Sequence, residues 1–458
     1  MDEVLVYRKR RNIELLMDVF ALALGLGGWA LTNMNLYGEI PASWPRIVGV
    51  WAAIGLAVHL LVRWKLAWAD PLIVPCVLLL NGLGLAMIFR LDQVSEPVSH
   101  DARTQLLWTL LGVIAFTATI VVLRDHRRLQ RFPYIFFLSG LLLLLLPLVP
   151  GLGRAQYGAR IWIHFGPYSF QPAEIAKILL AIAFAAYLTE HRDVLALAGR
   201  RVLGIEFPRL RDLGPIVIMW LASLAVLVFQ NDLGTSLLFF GLFVMMLYVA
   251  TEKAGWAILG LVMTAVGGLL AYQFAGHVRV RVSSWLHPFD DYDSNYQVIQ
   301  AQFGYAWGGL TGRGWGLGRP GLTPLAKSDF IAGAIGEELG VLGLMAVVMV
   351  YALIVFRGLR MALASNDPFG KLLGAGLSFV FALQVFAIIG GVTRLLPLTG
   401  LTTPFMSRGG SSMISNWVIV AIMLVISHQA RIPTVAAPSS RELTISDDDT
   451  QVIPAVRA

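Results

Sequence analysis

Residues 71–90 read PLIVPCVLLLNGLGLAMIFR, and the last of them alone is charged. The run is as long as a helix needs to cross the hydrocarbon core of a bilayer, about 20 residues. Similar runs recur on either side, at 14–33, 46–64, 104–123, 133–150, 172–189, 213–229, 234–250, 254–275, 331–357, 369–394 and 413–430. Apolar residues make up 57% of the 458-residue chain and charged ones 14%, with a mean hydropathy of +0.71. A water-soluble fold of this length cannot hide that much apolar surface. Inside a bilayer, backbone groups must bond within their own helix or a closed barrel. The sequence therefore predicts an all-α polytopic membrane protein with about twelve transmembrane helices.

The net charge of +7 could suggest a nucleic-acid partner, but its distribution points elsewhere. Arg8, Lys9, Arg10 and Arg11 precede the first helix. Arg124, Arg127, Arg128 and Arg131 follow the fourth, and Arg192, Arg200, Arg201, Arg209 and Arg211 follow the sixth. All three groups fall on one side of the membrane, the pattern of cytoplasmic loops. Both termini are thus expected in the cytoplasm, and the expected partner of the basic surplus is anionic membrane lipid rather than nucleic acid. The first apolar run follows a basic segment and reads as an ordinary span, not a cleaved signal. The single cysteine, Cys76, excludes an intrachain disulfide and a zinc–thiolate cluster.

Three connections are long: 150–171, 190–212 and 276–330. The last, between helices nine and ten, is the largest extracytoplasmic element expected. The tail, 431–458, is rich in Pro, Ser and Asp and reads as disordered and cytoplasmic.

No P-loop, SxxK or HExxH motif is present. The glycines of GGLTGRGWGLG, 308–318, could form a backbone nest for phosphate or simply a flexible loop. Acidic residues gather instead in SSWLHPFDDYDSNYQ, 283–297, as Asp290, Asp291 and Asp293. Three neighbouring carboxylates repel one another, so one is expected to hold a raised pKa, as a general base or acid near neutral pH needs. Asp291-Tyr292-Asp293 also reads as a DxD, which could hold a divalent cation, Mg2+ or Mn2+; no other cofactor is expected. A solvated polar loop is the alternative. At membrane depth lie Glu174, Lys177, Asp232, Glu337 and Glu338. Such residues are costly there and face a cavity or a partner. Glu174 and Lys177, three apart, share a helix face and can pair.

Taken together, GARIWIHFGPYSFQPAEIAK (158–177), QNDLGTS (230–236), WLHPFDDYDSNYQVIQA (285–301), GRGWGLG (312–318), SDFIAGAIGEELG (328–340) and LLPLTGLTTPFMSRGGSS (395–412) resemble, in order and spacing, the SEDS family of bacterial cell-wall proteins, the RodA/FtsW/SpoVE group. The resemblance implies a ten-helix core over 70–430, with 1–69 contributing a basic segment and two additional helices. Three departures stand out. Asn231 replaces a usual proline, Lys327-Ser328-Asp329-Phe330 replaces HTDF, and Arg408 replaces a smaller or aromatic residue.

What the resemblance implies is a peptidoglycan glycosyltransferase of the bacterial plasma membrane, serving cell elongation or division. It would polymerise lipid II onto a nascent glycan strand by an inverting reaction with undecaprenyl pyrophosphate as leaving group. A class B penicillin-binding protein is the implied partner. Counting from Pro288 makes Asp291 the base, and counting back from Tyr296-Gln297 makes it Asp290. Arg160, Arg279, Arg281 and Lys327 are the pyrophosphate candidates. Glu174, Lys177, Asp232, Asp329, Glu337 and Ser411 are further substrate-contact candidates within the matched motifs. Two other classes fit twelve spans: a lipid II flippase, and a non-catalytic scaffold of the synthesis complex. Thr450, after Asp447-Asp448-Asp449, is a candidate phosphorylation site that could dock a phospho-reader domain.

Overall fold

The computed structural model describes residues 9–95, 97–156, 159–166, 168–191, 200–202, 205–207 and 214–433. Thr450 and the tail beyond 433 lie outside the described residues, as do Arg192, Arg209 and Arg211. All twelve expected apolar runs are helical: α1 (Arg11–Tyr37), α2 (Trp44–Lys65), α3 (Ile73–Gln93), α4 (Asp101–Val122), α5 (Pro133–Leu145), α6 (Pro172–Glu190), α7 (Gly214–Phe229), α8 (Leu233–Thr251), α9 (Ala254–Phe274), α12 (Ile331–Leu363), α13 (Pro368–Val392) and α14 (Gly410–Arg431). Ten are long and apolar enough to cross a membrane, and α5 and α7 are shorter. Pro147 ends α5 early: it lacks an N–H and clashes with the preceding turn, so the helix tightens into a 3₁₀ turn over Leu146–Leu148. The chain is a multi-pass membrane protein.

The helices run alternately up and down, which gives the bundle two distinct ends. At the end holding both termini, Ser427 accepts from Asp70 N–H at 3.0 Å and His126 meets Asp367 at 2.8 Å. Asp70 there gathers Arg357 and Arg431. Near the same end α1 is tied to α2 by Asp18 and His59, 3.0 Å apart and buried. The connections 150–171 and 276–330 form the opposite, distal end. Residues 150–171, expected as a plain loop, fold into a small antiparallel sheet, β1 (Gly153–Gln156), β2 (Ala159–Phe165) and β3 (Tyr168–Phe170). Arg200–Val202 and Ile205–Phe207 pair antiparallel. The 276–330 loop carries two helices, α10 (Gly276–Leu286) and α11 (Tyr296–Gly308).

One span is not continuous. At Gly340 α12 breaks, with φ 71° and ψ −175°. The Glu337 and Glu338 carbonyls would normally accept from Val341 and Leu342. They accept instead from Arg313 and Gly314 N–H, each at 3.0 Å, while Val341 and Leu342 donate to the Gly309 and Leu310 carbonyls at 3.0 and 3.1 Å. The Gly-rich segment is thus stitched into the gap, and each of these four backbone groups has a partner, as irregular backbone at membrane depth requires. The Glu338 carboxylate also accepts from Arg90 Nε at 3.0 Å and Gly316 N–H at 2.9 Å, and Glu337 from Arg319 N–H at 2.6 Å. Residues 308–318 are therefore neither a free loop nor an open phosphate nest. Gly312, at φ +83°, lies where a Cβ would collide with the Glu338 carbonyl.

Candidate active site

A cavity of about 890 Å3 opens at the distal end. Its walls come from the first turns of α4, the β2–β3 hairpin, α10, the start of α11, residues 324–329, and the connection from α13 to α14. Trp108, Trp162, Tyr168, Trp285 and Tyr296 supply aromatic surface. Trp108 and Tyr168 meet edge to face, centroids 5.7 Å apart. Cations and carboxylates share the lining: Arg281, Arg394 and Arg408 with Asp293 and Asp329. The volume falls in the range of small-ligand sites, and the mixture suits a substrate with both a sugar face and an anionic group.

The loop geometry separates the three clustered aspartates. Asp293 lines the cavity, whereas Asp290 and Asp291 do not. Asp291 is exposed, and its carboxylate caps the next turn by accepting Ser294 N–H at 3.1 Å. That bond holds its carboxyl below the ordinary carboxylate range, so Asp291 is not a member of the cluster with a raised value. The exposed loop lets the charges be solvated apart. Asp329, in the cavity wall, behaves oppositely. Burial pushes it up to about 6, against the pull of the Ser328 side chain and the Arg281 charge.

Among the basic candidates only Arg281 lines the cavity, and it donates to the Leu398 and Thr399 carbonyls at 3.2 Å each. Arg160 and Arg279 are exposed away from the lining. Lys327 is held by Asp92 at 2.7 Å and Asp101 at 3.1 Å. Arg408 pairs with the same Asp101 at 3.1 Å, and its N–H donates to the Lys327 carbonyl at 2.7 Å. Two of the departures from the family pattern thus meet at one carboxylate.

Beneath the cavity lies a buried network. Lys177 donates to Glu174 at 2.9 Å and to Gln384 at 3.0 Å, Ser415 donates to Glu174 at 3.0 Å, and Gln384 donates to the cavity-lining Thr402 carbonyl at 2.8 Å. Ser411 accepts from Gln171 N–H at 3.2 Å, fixing the start of α6 against α14. Asp232 caps α8 through Thr235 N–H at 3.0 Å. Glu337 belongs to the Gly-rich junction described above. These residues support the cavity floor and its flanks and, in this geometry, do not line it.

Sequence reasoning missed Arg394 as a cavity cation. It sits at φ 61°, a left-handed conformation unusual for a side chain of its size, just beyond the end of α13. A lone arginine between GG and LLP was the only signal. Among the described residues one group of three, Glu14, Asp18 and His59, brings possible metal-ligand atoms within 4.8 Å of one another, and it lies near the terminal end. The outer aspartates form no such group.

The chain was compared with known proteins. The cell cycle protein family model of FtsW, RodA and SpoVE matches residues 71–432. The peptidoglycan glycosyltransferase RodA of Mycobacterium tuberculosis is 45% identical over 98% of this chain and 96% of its own. Stage V sporulation protein E of Bacillus subtilis is 31% identical over 79% of this chain and 98% of its own. A solved peptidoglycan synthase complex, in which polymerization and crosslinking are coordinated, contains a chain that superposes with a TM-score of 0.65 at 25% identity, covering 80% of this chain and 99% of that one. The crystal structure of the rod shape determining protein RodA of Thermus thermophilus superposes with a TM-score of 0.56 at 24% identity, over 80% and 98%. The order of motifs, the twelve helices and these likenesses agree, and the chain belongs to the FtsW/RodA/SpoVE family of cell cycle proteins.

Proposed function

We propose that this chain is a peptidoglycan glycosyltransferase that polymerises lipid II at the outer face of the plasma membrane, with both termini in the cytoplasm and a class B penicillin-binding protein as partner. The observation that carries the reading is the distal cavity, where aromatic walls, guanidinium groups and carboxylates converge. The 4-hydroxyl oxygen of one sugar attacks the anomeric carbon of the other. The bond from that carbon to the pyrophosphate oxygen breaks, and the oxygen leaves with the electron pair. Arg281 and Arg394 balance the charge that develops on it. A carboxylate takes the hydroxyl proton. Aromatic faces hold the sugar rings and exclude water.

Two carboxylates compete for the role of base. Asp291 is the one the family motif implies; it is ionised at neutral pH and stands on the same short turn as the cavity-lining Asp293. Asp329 is favoured by a specific observation: it lines the cavity with a pKa near 6, close to the value a general base needs. Purified protein incubated with lipid II, with and without its partner, tests both levels. Glycan chains from the wild type and none from Asp291→Asn support the first assignment; an active Asp291→Asn with an inactive Asp329→Asn supports the second. No glycan from the wild type with its partner present overturns the polymerase reading.

A further inference from the structure

A second concavity, of about 500 Å3, lies between the two N-terminal helices and the rest of the bundle. It is bounded by α1, α2, α3 and α4 and is mostly apolar, with no acidic residue in its lining. Trp29, stacked between Trp44 and Phe89 at 5.2 and 4.8 Å, forms one wall. The floor is closed where α1 crosses α3. There Gly25 and Gly82 approach so closely that a Cβ on Gly25 would fall 2.8 Å from Gly82 Cα.

Its polar groups are few and placed at one depth. Arg46 in the first turn of α2 and Arg103 in the first turn of α4 both stand at the distal mouth, and both are exposed. Neither guanidinium has a hydrogen-bond or ion-pair partner among the described residues. Below Arg46 by about 7.5 Å along α2, Trp51 is 5% exposed, and its indole N–H has no acceptor. A buried donor without a partner is costly. From Asn33 at the mouth to Gly25 at the floor the groove descends about 12 Å, most of the half-thickness of a bilayer's hydrocarbon core, about 15 Å.

We propose that this groove is a site for one anionic glycerophospholipid. Its phosphate lies on Arg46 and Arg103, an ester carbonyl accepts the Trp51 N–H, and one acyl chain fills the apolar channel down to the Gly25–Gly82 crossing. Charge complementarity selects the headgroup: two unpaired guanidiniums with no carboxylate favour a net negative lipid over a zwitterionic one. Because α1 and α2 supply half of the walls, the lipid would fasten the N-terminal pair to the core.

Native mass spectrometry of the delipidated full-length protein tests this with three probes: phosphatidylglycerol, phosphatidylcholine of the same chains, and undecaprenyl phosphate. The wild type should retain one phosphatidylglycerol in preference to the other two. Arg46→Ala with Arg103→Ala should lower that retention about tenfold, as expected when two charge-assisted contacts are lost. Val50→Trp, at an exposed position in the groove, should block binding while leaving both arginines in place. Equal retention of phosphatidylglycerol and phosphatidylcholine, or unchanged retention in the arginine double variant, overturns the proposal. Preferential retention of undecaprenyl phosphate assigns the groove to a polyprenyl lipid and overturns it too. Should the double variant fail to insert, Val50→Trp with undiminished binding is decisive against it.

Discussion

Trp285 and Arg394 hydrogen-bond each other in both directions. The indole N–H donates to the Arg394 carbonyl at 2.9 Å, and the guanidinium donates to the Trp285 carbonyl at 2.8 Å. Both residues line the distal cavity, so this clamp ties α10 of the outer loop to the end of α13. It also accounts for the left-handed Arg394. Such a conformation costs about 1–3 kcal/mol and persists only where surrounding contacts fix it.

Loosening the clamp should therefore free α10. Trp285→Phe removes one hydrogen bond, worth about 0.5–1.5 kcal/mol. Amide exchange over 276–286 should quicken while the twelve spans keep their protection. Arg394→Lys should quicken it too, because lysine lacks the planar fork. Unchanged exchange in Trp285→Phe would show that other contacts hold α10.

The pH dependence of polymerisation should report on Asp329. Its pKa in the folded protein is about 6 against 3.8 for the free group. The protonated form is favoured in the fold, so this group's contribution to stability is present below about pH 4 and lost as pH rises through about 6. Activity that needs the carboxylate should run the other way, falling as pH drops through 6. Asp329→Asn should abolish polymerisation across this range and raise thermal stability at pH 8. A wild-type rate that is flat between pH 5 and 7 would refute a proton-accepting Asp329.

Lys327 and Arg408 should be energetically coupled through Asp101. Both touch it at 3.1 Å, and the site is only part exposed. A double-mutant cycle on Lys327→Met and Arg408→Gln, read by thermal unfolding in detergent, should give a coupling of about 0.5–1 kcal/mol or more. Strict additivity would mean that the two departures are independent.

Removal of residues 1–65 should lower thermal stability even where polymerisation survives. The Gly-rich segment leans on α1: Trp315 Nε1 donates to Thr32 at 2.9 Å, and Asn35 donates to the Trp315 carbonyl at 2.5 Å. Trp315 is 6% exposed, so the deletion uncovers a large aromatic and an orphaned N–H. Thr32→Val should reproduce a small part of the loss, about 1 kcal/mol. A truncated chain that melts with the full-length one would show that the pair is energetically separate.

The spans were legible because a 20-residue apolar run has one stable outcome in a bilayer. The break at Gly340 was not, since GEELGVLG carries no local feature to distinguish it from a continuous helix with two acids. The stitch depends on residues 24 to 32 positions upstream. The distal cluster of aspartates was visible, but which of them faces the cavity is decided by the Ser294 and Asn295 turn. Lys327 was visible as a pyrophosphate candidate and Arg408 as a departure, but not their junction, because the shared partner, Asp101, is remote in sequence from both. The sheet over 153–170 left no clear alternation, as its strands are short and β1 is irregular against β2.

The interrupted helix has a consequence for biogenesis. The ribosome makes 308–318 before 331–342, so the segment that pairs with the broken turn is made first and has no partner until α12 follows. The piece from Ile331 to Leu339 is too short to cross alone, and its open carbonyls have no use for lipid. Val341–Leu363 is long enough to cross alone, so closure of the earlier segment onto Ile331–Leu339 completes the distal end of the span after its integration. Lesions in GRGWGLG should be read first as failures of maturation, seen as rapid proteolysis in the cell, and only then as defects in chemistry.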